Sequence, residues 1–470
     1  MPLNPQIFRE YDIRGSAEQD FSEADLRQLT HAVITYFQGH NRTSMIVARD
    51  CRLSSPRISS TICDVALARQ MHLIDIGMVT TPAFYYATKH LGLDAGIMVT
   101  ASHNPPPDNG MKVNLGPATI HGAEIQRIRH IAESLSSEEV AATAESIERL
   151  DLHEDYDIAA PYIRTLTAKI QLGPRKLKAV VDCGNGASGP LTEQFLQALG
   201  IDYLPLYFTP DGTFPNHEAD PTKTKNLIDL RARVLAEGAD LGIGFDGDGD
   251  RIGVVDDNGN VIWGDTLMAL FWREILPKYP GTTCLVEVKC SQSLIDEIER
   301  LGGKPEFCKT GHSLIKARMR EVGAVFTGEM SGHIFFADEY YGFDDALYAS
   351  GRLLRLLSHT DSKLSELIAE IPKYYSTAEV RIPCPDDIKF AVVDRLREEL
   401  GKTYETITID GVRVLFPHGW GLFRCSNTGP IIVTRCEART PELLREYVSI
   451  FNTVFSGICP NVQIPWEYAD

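Results

Sequence analysis

An α/β fold, with three similar α/β domains of mixed sheets and a smaller C-terminal α+β domain, is what this 470-residue sequence predicts. Three observations carry that reading. Short apolar runs at 44–50, 178–182 and 283–289 each end in a polar loop, and helix-like sequence follows at 56–69, 190–199 and 293–301. Each of these units holds a second apolar run, at 95–100, 241–245 and 324–327, whose exit loop is rich in reactive side chains. After about residue 370 the texture turns strand-rich, with runs at 379–383, 411–416 and 430–435 and a helix at 441–455.

Ligands of open α/β sheets bind at the carboxyl ends of the strands, so the three loaded loops are expected around one cleft. The length suits about three or four domains. The acidic helical stretch at 136–155 reads as a domain connection. The expected division is 1–150, 151–258, 259–370 and 371–470.

The formal net charge of −18 argues against nucleic acid or an anionic membrane surface as a partner. The N-terminus lacks a basic-then-apolar signal pattern, and no window has the unbroken apolar length of a membrane span. Ten cysteines include no Cys-x-x-Cys pair and sit mostly in apolar or strand-like runs, which favours buried reduced thiols. A soluble, cytoplasmic protein is expected.

The most specific chemistry lies in Asp246-Gly247-Asp248-Gly249-Asp250-Arg251, directly after the apolar run 241–245. One Asp-Gly step is ordinary turn material. Three alternating carboxylates at a strand end instead converge hard oxygen ligands on a point, and the glycines let the backbone curl there. An EF-hand loop would need Gly at its sixth position and Glu at its twelfth, where Arg251 and Asp257 stand. Three Asp ligands with an open remainder suit Mg²⁺.

Ser102 leaves the run 95–100 and precedes His103-Asn104-Pro105-Pro106-Pro107, whose prolines stiffen the exit and remove backbone donors. Adjacency of Ser102 and His103 is no evidence of a triad. Arg424-Cys425-Ser426-Asn427-Thr428 reads independently as an anion site, a guanidinium fork backed by neutral donors.

Thr100–Pro105 in the order Thr-Ala-Ser-His-Asn-Pro, together with the aspartate loop, resembles the α-D-phosphohexomutases. Glu10-Tyr11-Asp12-Ile13-Arg14-Gly15, Gly110-Met111-Lys112, Lys309-Thr310-Gly311-His312, Gly328-Glu329-Met330-Ser331-Gly332-His333 and the Arg424 loop match in the right order, so the resemblance spans essentially the whole chain. It implies four domains in a heart shape around a central cleft. It implies a phosphoserine at Ser102 and Mg²⁺ on Asp246, Asp248 and Asp250, with a phosphoserine oxygen completing the site. Glu329 and Ser331 would bind sugar hydroxyls, and Arg424, Ser426, Asn427 and Thr428 the phosphate that is not transferred. Met330 within the Glu-Met-Ser loop looks most like the phosphomannomutase/phosphoglucomutase group. The implied reaction moves phosphate between the 1- and 6-positions of a mannose or glucose phosphate through a hexose 1,6-bisphosphate.

Three aspartates and a phosphoserine outweigh one divalent ion, so cations are needed nearby. Arg14, Lys112, Arg251, Lys289, His312 and Arg424 all lie in matched loops. Arg14 and Lys112 are expected at the transferring phosphate for proton handling and charge relief, with Arg251 and Lys289 as electrostatic supports. His103 is grouped with the catalytic residues, and Tyr11, Lys289, His312 and His333 with the substrate-binding ones, although His103 and His333 suit a structural hydrogen bond equally. Pro107 and Gly429 depart from the family's usual choices and are expected to stiffen the serine loop and loosen the phosphate loop.

The alternatives are a glucosamine-phosphate or other hexose-phosphate mutase, an Mg²⁺-dependent sugar phosphatase, and a non-catalytic sugar-phosphate binder. A hexose phosphate is the expected partner, and a monomer is compatible with the sequence.

Overall fold

A computed structural model describes residues 3–136, 140, 152–427 and 429–468. Most of the expected connection at 136–155 and Thr428 of the phosphate loop lie outside the described residues. The described chain divides into two compact units, one formed by 1–263 and 331–365 and the other by 264–330 and 366–470.

The first unit contains two sheets. In one, the strand order is Ile13–Ser16, Asp108–Leu115, Ala95–Val99, Ser44–Arg49, His72–Met78, His153–Asp155, with the short strand Ala118–Thr119 paired to Asp108–Leu115. The pairs that flank Ser44–Arg49 are parallel, whereas Asp108–Leu115 runs antiparallel to Ala95–Val99 and to Ile13–Ser16. The mixed sheet expected from the strand–helix alternation is therefore present. The central strand Ala95–Val99 is buried at every residue, as a strand covered on both faces must be.

Helix starts follow local chemistry. Pro56 stands in the first turn of Ser55–Ala68, where its missing N–H costs nothing. Thr80 caps Thr81–His90 by accepting the Ala83 N–H. The second sheet has the order Val261–Ile262, Ile252–Asp256, Leu241–Phe245, Lys178–Asp182, Asp202–Leu206. Lys178–Asp182 is parallel to both of its neighbours, and Ile252–Asp256 returns antiparallel along Leu241–Phe245. The hairpin between those last two strands is the aspartate loop. Gly200, left-handed at φ +68°, closes the helix Gly189–Leu199.

In the second unit Thr283–Glu287 pairs in parallel with Lys304–Cys308. The C-terminal part is an antiparallel sheet of order Tyr375–Ser376, Ile431–Ala438, Gly419–Cys425, Val412–Phe416, Glu405–Ile407, with Val380–Pro383 also on Ile431–Ala438. Two helices, Lys389–Gly401 and Pro441–Ile458, complete its core. Pro441–Ile458 buries Leu444, Tyr447, Val448, Phe451 and Phe455, a spacing of three and four that lays one apolar stripe on the sheet. Each such side chain contributes ~1.5–3 kcal/mol on full burial. This is the α+β texture expected after residue 370.

All ten cysteines are free thiols, eight of them buried. Among the described residues, no helix is long and apolar enough to cross a membrane.

Candidate active site

The aspartate loop turns between strands Leu241–Phe245 and Ile252–Asp256 on Gly249, whose φ of +74° few side chains tolerate. Asp246, Asp248 and Asp250 are fully buried, and they offer carboxylate oxygens that lie within 4.8 Å of one another. Each acid has a distinct set of partners. Asp246 Oδ1 accepts the N–H groups of Asp250 (3.0 Å) and Arg251 (3.1 Å). Asp248 Oδ2 accepts the Thr81 hydroxyl at 2.6 Å, and its carbonyl accepts the Thr81 N–H at 2.9 Å, so it sits on the N-terminus of helix Thr81–His90. A carboxylate is favoured at that end of a helix.

Lys112 comes from the middle of strand Asp108–Leu115 and is itself buried. Its Nζ donates to Asp248 Oδ2 at 2.7 Å and Asp250 Oδ2 at 2.5 Å. Burial alone would push its pKa down, but the two carboxylates prevail and hold it well above the ordinary lysine value. Burial also works against charge on Asp248, yet Lys112 and the Thr81 hydroxyl hold its carboxyl below the ordinary range. At Asp246 the balance runs the other way. Burial, then the charges of Asp250 and Asp248, push it well above the ordinary range.

Asp248 Oδ1 and Asp250 Oδ1 are buried and accept no hydrogen bond among the described residues. Buried oxygens without donors, in a set of three carboxylates and no sulfur or imidazole, fit a hard divalent cation. A resident Mg²⁺ is therefore compatible with these residues.

Ser102 comes to this cluster from the first sheet. It is 3% exposed, its N–H donates to the Thr100 hydroxyl at 2.9 Å, and its Oγ donates to Asp246 Oδ2 at 2.9 Å. A hydroxyl has one proton, and Asp246 receives it. His103 Nδ1, 3.0 Å from the same Oγ, is therefore the donor in that contact. Burial first, then Arg251 and Arg14, push His103 well below the ordinary histidine pKa, so its ring is neutral. Ser102 has φ +52°, left-handed for a residue with a side chain, at a cost of ~1–2 kcal/mol.

Arg14, from strand Ile13–Ser16, pairs with Asp12 and donates to Asn104 Oδ1 at 2.8 Å. Arg251 Nε donates to His333 Nε2 at 3.1 Å, which leaves the His333 proton on Nδ1, 3.1 Å from Asp344 Oδ2 and 3.6 Å from Asp250 Oδ1. Tyr11 is buried just before strand Ile13–Ser16, and Ser331 is half-buried two residues before His333. The first unit thus gathers Ser102, His103, Arg14, Lys112, Arg251, His333 and the three aspartates.

The second unit collects the other predicted residues on its own framework. Glu329 Oε1 accepts the Gly311 N–H at 2.7 Å, which ties the sugar loop to the turn before His312, the first residue of helix His312–Val322. Lys289 Nζ lies 3.1 Å from Glu379 Oε2 and 3.6 Å from Glu287 Oε1. Arg424 Nε donates to Asp410 Oδ2 at 3.0 Å, and that same oxygen accepts the Thr310 N–H at 3.1 Å. Ser426 is buried and Asn427 half-buried. Lys389 Nζ gathers the carbonyls of Ser426 (2.6 Å) and Gly429 (3.0 Å) beneath the loop.

Sequence reasoning missed Thr81, Arg52, Asp344, Glu287, Glu379, Asp410 and Lys389. Thr80-Thr81-Pro82 is a legible helix start that could have placed Thr81 at a helix N-terminus. The others carry no local signal.

A buried serine hydrogen-bonded to one of three cation-ready carboxylates, with basic groups packed around them, is equipment for phosphoryl transfer. Comparison with known proteins agrees with that class. Models described as phosphoglucomutase/phosphomannomutase alpha/beta/alpha domains I, II and III match residues 5–139, 160–259 and 263–375, and the C-terminal domain model matches 379–453. The chain belongs to this family, the α-D-phosphohexomutases, and has its four-domain α/β fold.

A phosphomannomutase/phosphoglucomutase of Pseudomonas aeruginosa is 39% identical over 465 residues, covering 99% of this chain and 98% of the relative. A phosphoglucomutase of Neisseria meningitidis is 38% identical over 454 residues, covering 96% and 97%. The crystal structure of a phosphoglucomutase/phosphomannomutase family protein from Burkholderia thailandensis matches with a TM-score of 0.90 at 37% identity, over 98% of this chain and 100% of that one. An Aspergillus fumigatus N-acetylphosphoglucosamine mutase structure, at 17% identity and a TM-score of 0.60 over 97% and 99% of the chains, shares the fold alone.

Proposed function

We propose that this protein is a hexose-phosphate mutase that interconverts the 1- and 6-phosphates of glucose, mannose or both. The observation that carries the reading is the Ser102 Oγ placed 2.9 Å from Asp246 within a buried aspartate triad. Names of the relatives support the substrate class. The four segments 1–150, 151–258, 259–370 and 371–470 would contribute the serine, the metal ligands, the sugar loop and the phosphate grip.

Ser102 carries the phosphoryl group. Its P–O bond breaks as a sugar hydroxyl attacks phosphorus, giving a hexose 1,6-bisphosphate and a free serine oxygen. The hydroxyl proton leaves to a base as the new bond forms. After the bisphosphate turns over, Ser102 takes the phosphoryl group from the other end, and the monophosphate product departs. Hexose 1,6-bisphosphate is thus both intermediate and activator.

Asp246, Asp248 and Asp250 would hold Mg²⁺, which when bound supplies Lewis-acid stabilisation of the moving charge. Lys112 serves as a fixed positive charge for charge relief, since its two carboxylate partners keep its proton on. His103, neutral, orients the serine oxygen through Nδ1. Arg14 holds Asn104 of the serine loop, and Arg251 is oriented by His333. In the second unit, Glu329 and His312 would read sugar hydroxyls, with Lys289 beside them, and Ser331, two residues on from Glu329 in the sequence, would do likewise. Arg424, Ser426, Asn427 and Thr428 would hold the phosphate that is not transferred.

Intact-mass measurement with peptide mapping tests the reading. The expected result is a phosphate on Ser102 after treatment with glucose 1,6-bisphosphate. Ser102→Ala should lose both that phosphate and turnover of glucose and mannose 1-phosphates. A fully active Ser102→Ala protein would overturn it.

A further inference from the structure

The serine loop is gripped by a residue with no part in the chemistry above. Arg52 lies in the turn after strand Ser44–Arg49, and its side chain is wholly buried. Its Nη2 donates to the carbonyls of Ser102 (2.8 Å) and Asn104 (2.6 Å), and its Nη1 to those of Pro105 (2.7 Å) and Asp108 (2.9 Å). Three of the acceptors belong to the serine loop, and the fourth, Asp108, opens the strand that follows it. The fifth guanidinium donor, Nε, lies 3.2 Å from Asp50 Oδ2. Asp50 is anchored in turn by the Arg52 N–H at 3.0 Å and the Ser55 hydroxyl at 2.5 Å.

The loop requires an outside donor of this kind. Pro105, Pro106 and Pro107 are exposed and supply no N–H, so the loop has few donors of its own for its inward carbonyls. The Asp108 N–H reaches the Pro105 carbonyl at 3.0 Å, and Arg52 supplies the rest. Ser102 at φ +52° persists only where its surroundings over-determine it. Its carbonyl is held from two sides, by Arg52 Nη2 and by the aspartate loop, where a Cβ on Gly247 would lie 2.5 Å from that oxygen. Arg52 itself has no room to retreat. The Phe214 ring centroid is 5.4 Å from its Cζ, and Gly212 packs so close that a Cβ there would meet the Cys51 carbonyl at 2.5 Å.

We propose that Arg52, braced by Asp50, is a positioning residue that locks the left-handed Ser102 backbone and so aims the serine oxygen at the aspartate cluster. The inference rests on Ser102 being the residue that is phosphorylated. A planar guanidinium can span four carbonyls, whereas a lysine ammonium is a point donor. Arg52→Lys therefore keeps the charge and loses the lock, and Asp50→Asn keeps the fork and loosens its brace.

The full-length parent and both variants are incubated with Mg²⁺ and glucose 1,6-bisphosphate, and Ser102 phosphorylation is followed against time by intact mass. Steady-state rates with glucose 1-phosphate and calorimetric binding of the same sugar phosphate accompany it. Arg52→Lys is expected to phosphorylate and turn over ~100-fold more slowly, as misplacement of a reacting group by about an ångström does. Its KM and glucose 1-phosphate affinity should stay within about threefold, because the lost interaction acts on the reacting serine and not on binding. Asp50→Asn should fall between Arg52→Lys and the parent. If Arg52→Lys does not fold, Asp50→Asn decides alone by the same readouts and its melting temperature.

Parent-like phosphorylation and kcat in a folded variant, or a loss confined to KM, overturns the assignment. A parent that takes no phosphate on Ser102 would overturn the serine reading itself and this assignment with it.

Discussion

His333 illustrates how one residue's protonation is fixed by what its neighbours need. Arg251 has only protons to give, so His333 Nε2 must accept and Nδ1 carries the hydrogen, 3.1 Å from Asp344 Oδ2. Asp344, buried and without a mark in the sequence, thus sets a negative charge beside a histidine that in turn holds an arginine of the aspartate loop. Asp344→Asn preserves shape and removes the negative charge beside Nδ1. It is expected to lower kcat ~10–100-fold, the usual cost of losing a supporting carboxylate behind a functional histidine. The KM for glucose 1-phosphate should change little. Steady-state assays separate the two parameters, and a rise in KM at unchanged kcat would place Asp344 in substrate binding instead.

At the level of loops and strands, glycines divide into those that geometry requires and those it does not. A Cβ on Gly247 would press within 2.5 Å of the Ser102 carbonyl, a backbone atom that Arg52 holds in place. Gly247→Ala should therefore cost ~1–3 kcal/mol by overpacking and should displace the serine. Gly429 in the phosphate loop has nothing within 4 Å of its would-be Cβ and no positive φ. Gly429→Ala is expected to stay within ~0.5 kcal/mol of the parent. Urea unfolding of both variants checks the contrast, and equal losses would contradict it. Lys389 beneath Ser426 and Gly429 accounts for the tolerance, because the loop is held by its carbonyls and not by packing at Gly429.

The same elements show what the sequence could and could not reveal. Strand Lys178–Asp182 falls where its apolar run predicts, and Gly189–Leu199 and Pro441–Ile458 come within a few residues of expectation, because periodicity and caps are local signals. The aspartate loop was legible for the same reason, since three acids and their glycines sit side by side. Arg52 was not, because its four acceptors are backbone carbonyls about fifty residues away that any sequence would supply. Glu287 was equally silent. It accepts the Thr310 hydroxyl and the Met330 N–H, two partners brought together only by folding.

For the molecule as a whole, 64 acidic against 46 basic residues make a chain of net charge −18, in which mild acid should relieve self-repulsion. Acid lability must then come from carboxylates that the native state holds ionised. Glu379 is one. Burial opposes its charge, but Lys289 at 3.1 Å and Arg381 outweigh burial and bring its pKa down from 4.5 to about 2. A depressed folded-state value means the native state binds fewer protons than the unfolded chain between those limits. The stabilisation is thus complete above pH 4.5 and is lost as pH falls toward 2. Its size is ~3 kcal/mol. Glu379→Gln removes it, leaving Lys289 with Glu287 at 3.6 Å. The variant should be less stable than the parent at pH 7, and the gap should narrow as pH drops below 4.5. Urea midpoints at pH 7 and in the acid range measure this directly. A gap that stays constant would mean that Glu379 acts through shape and packing, not through its charge.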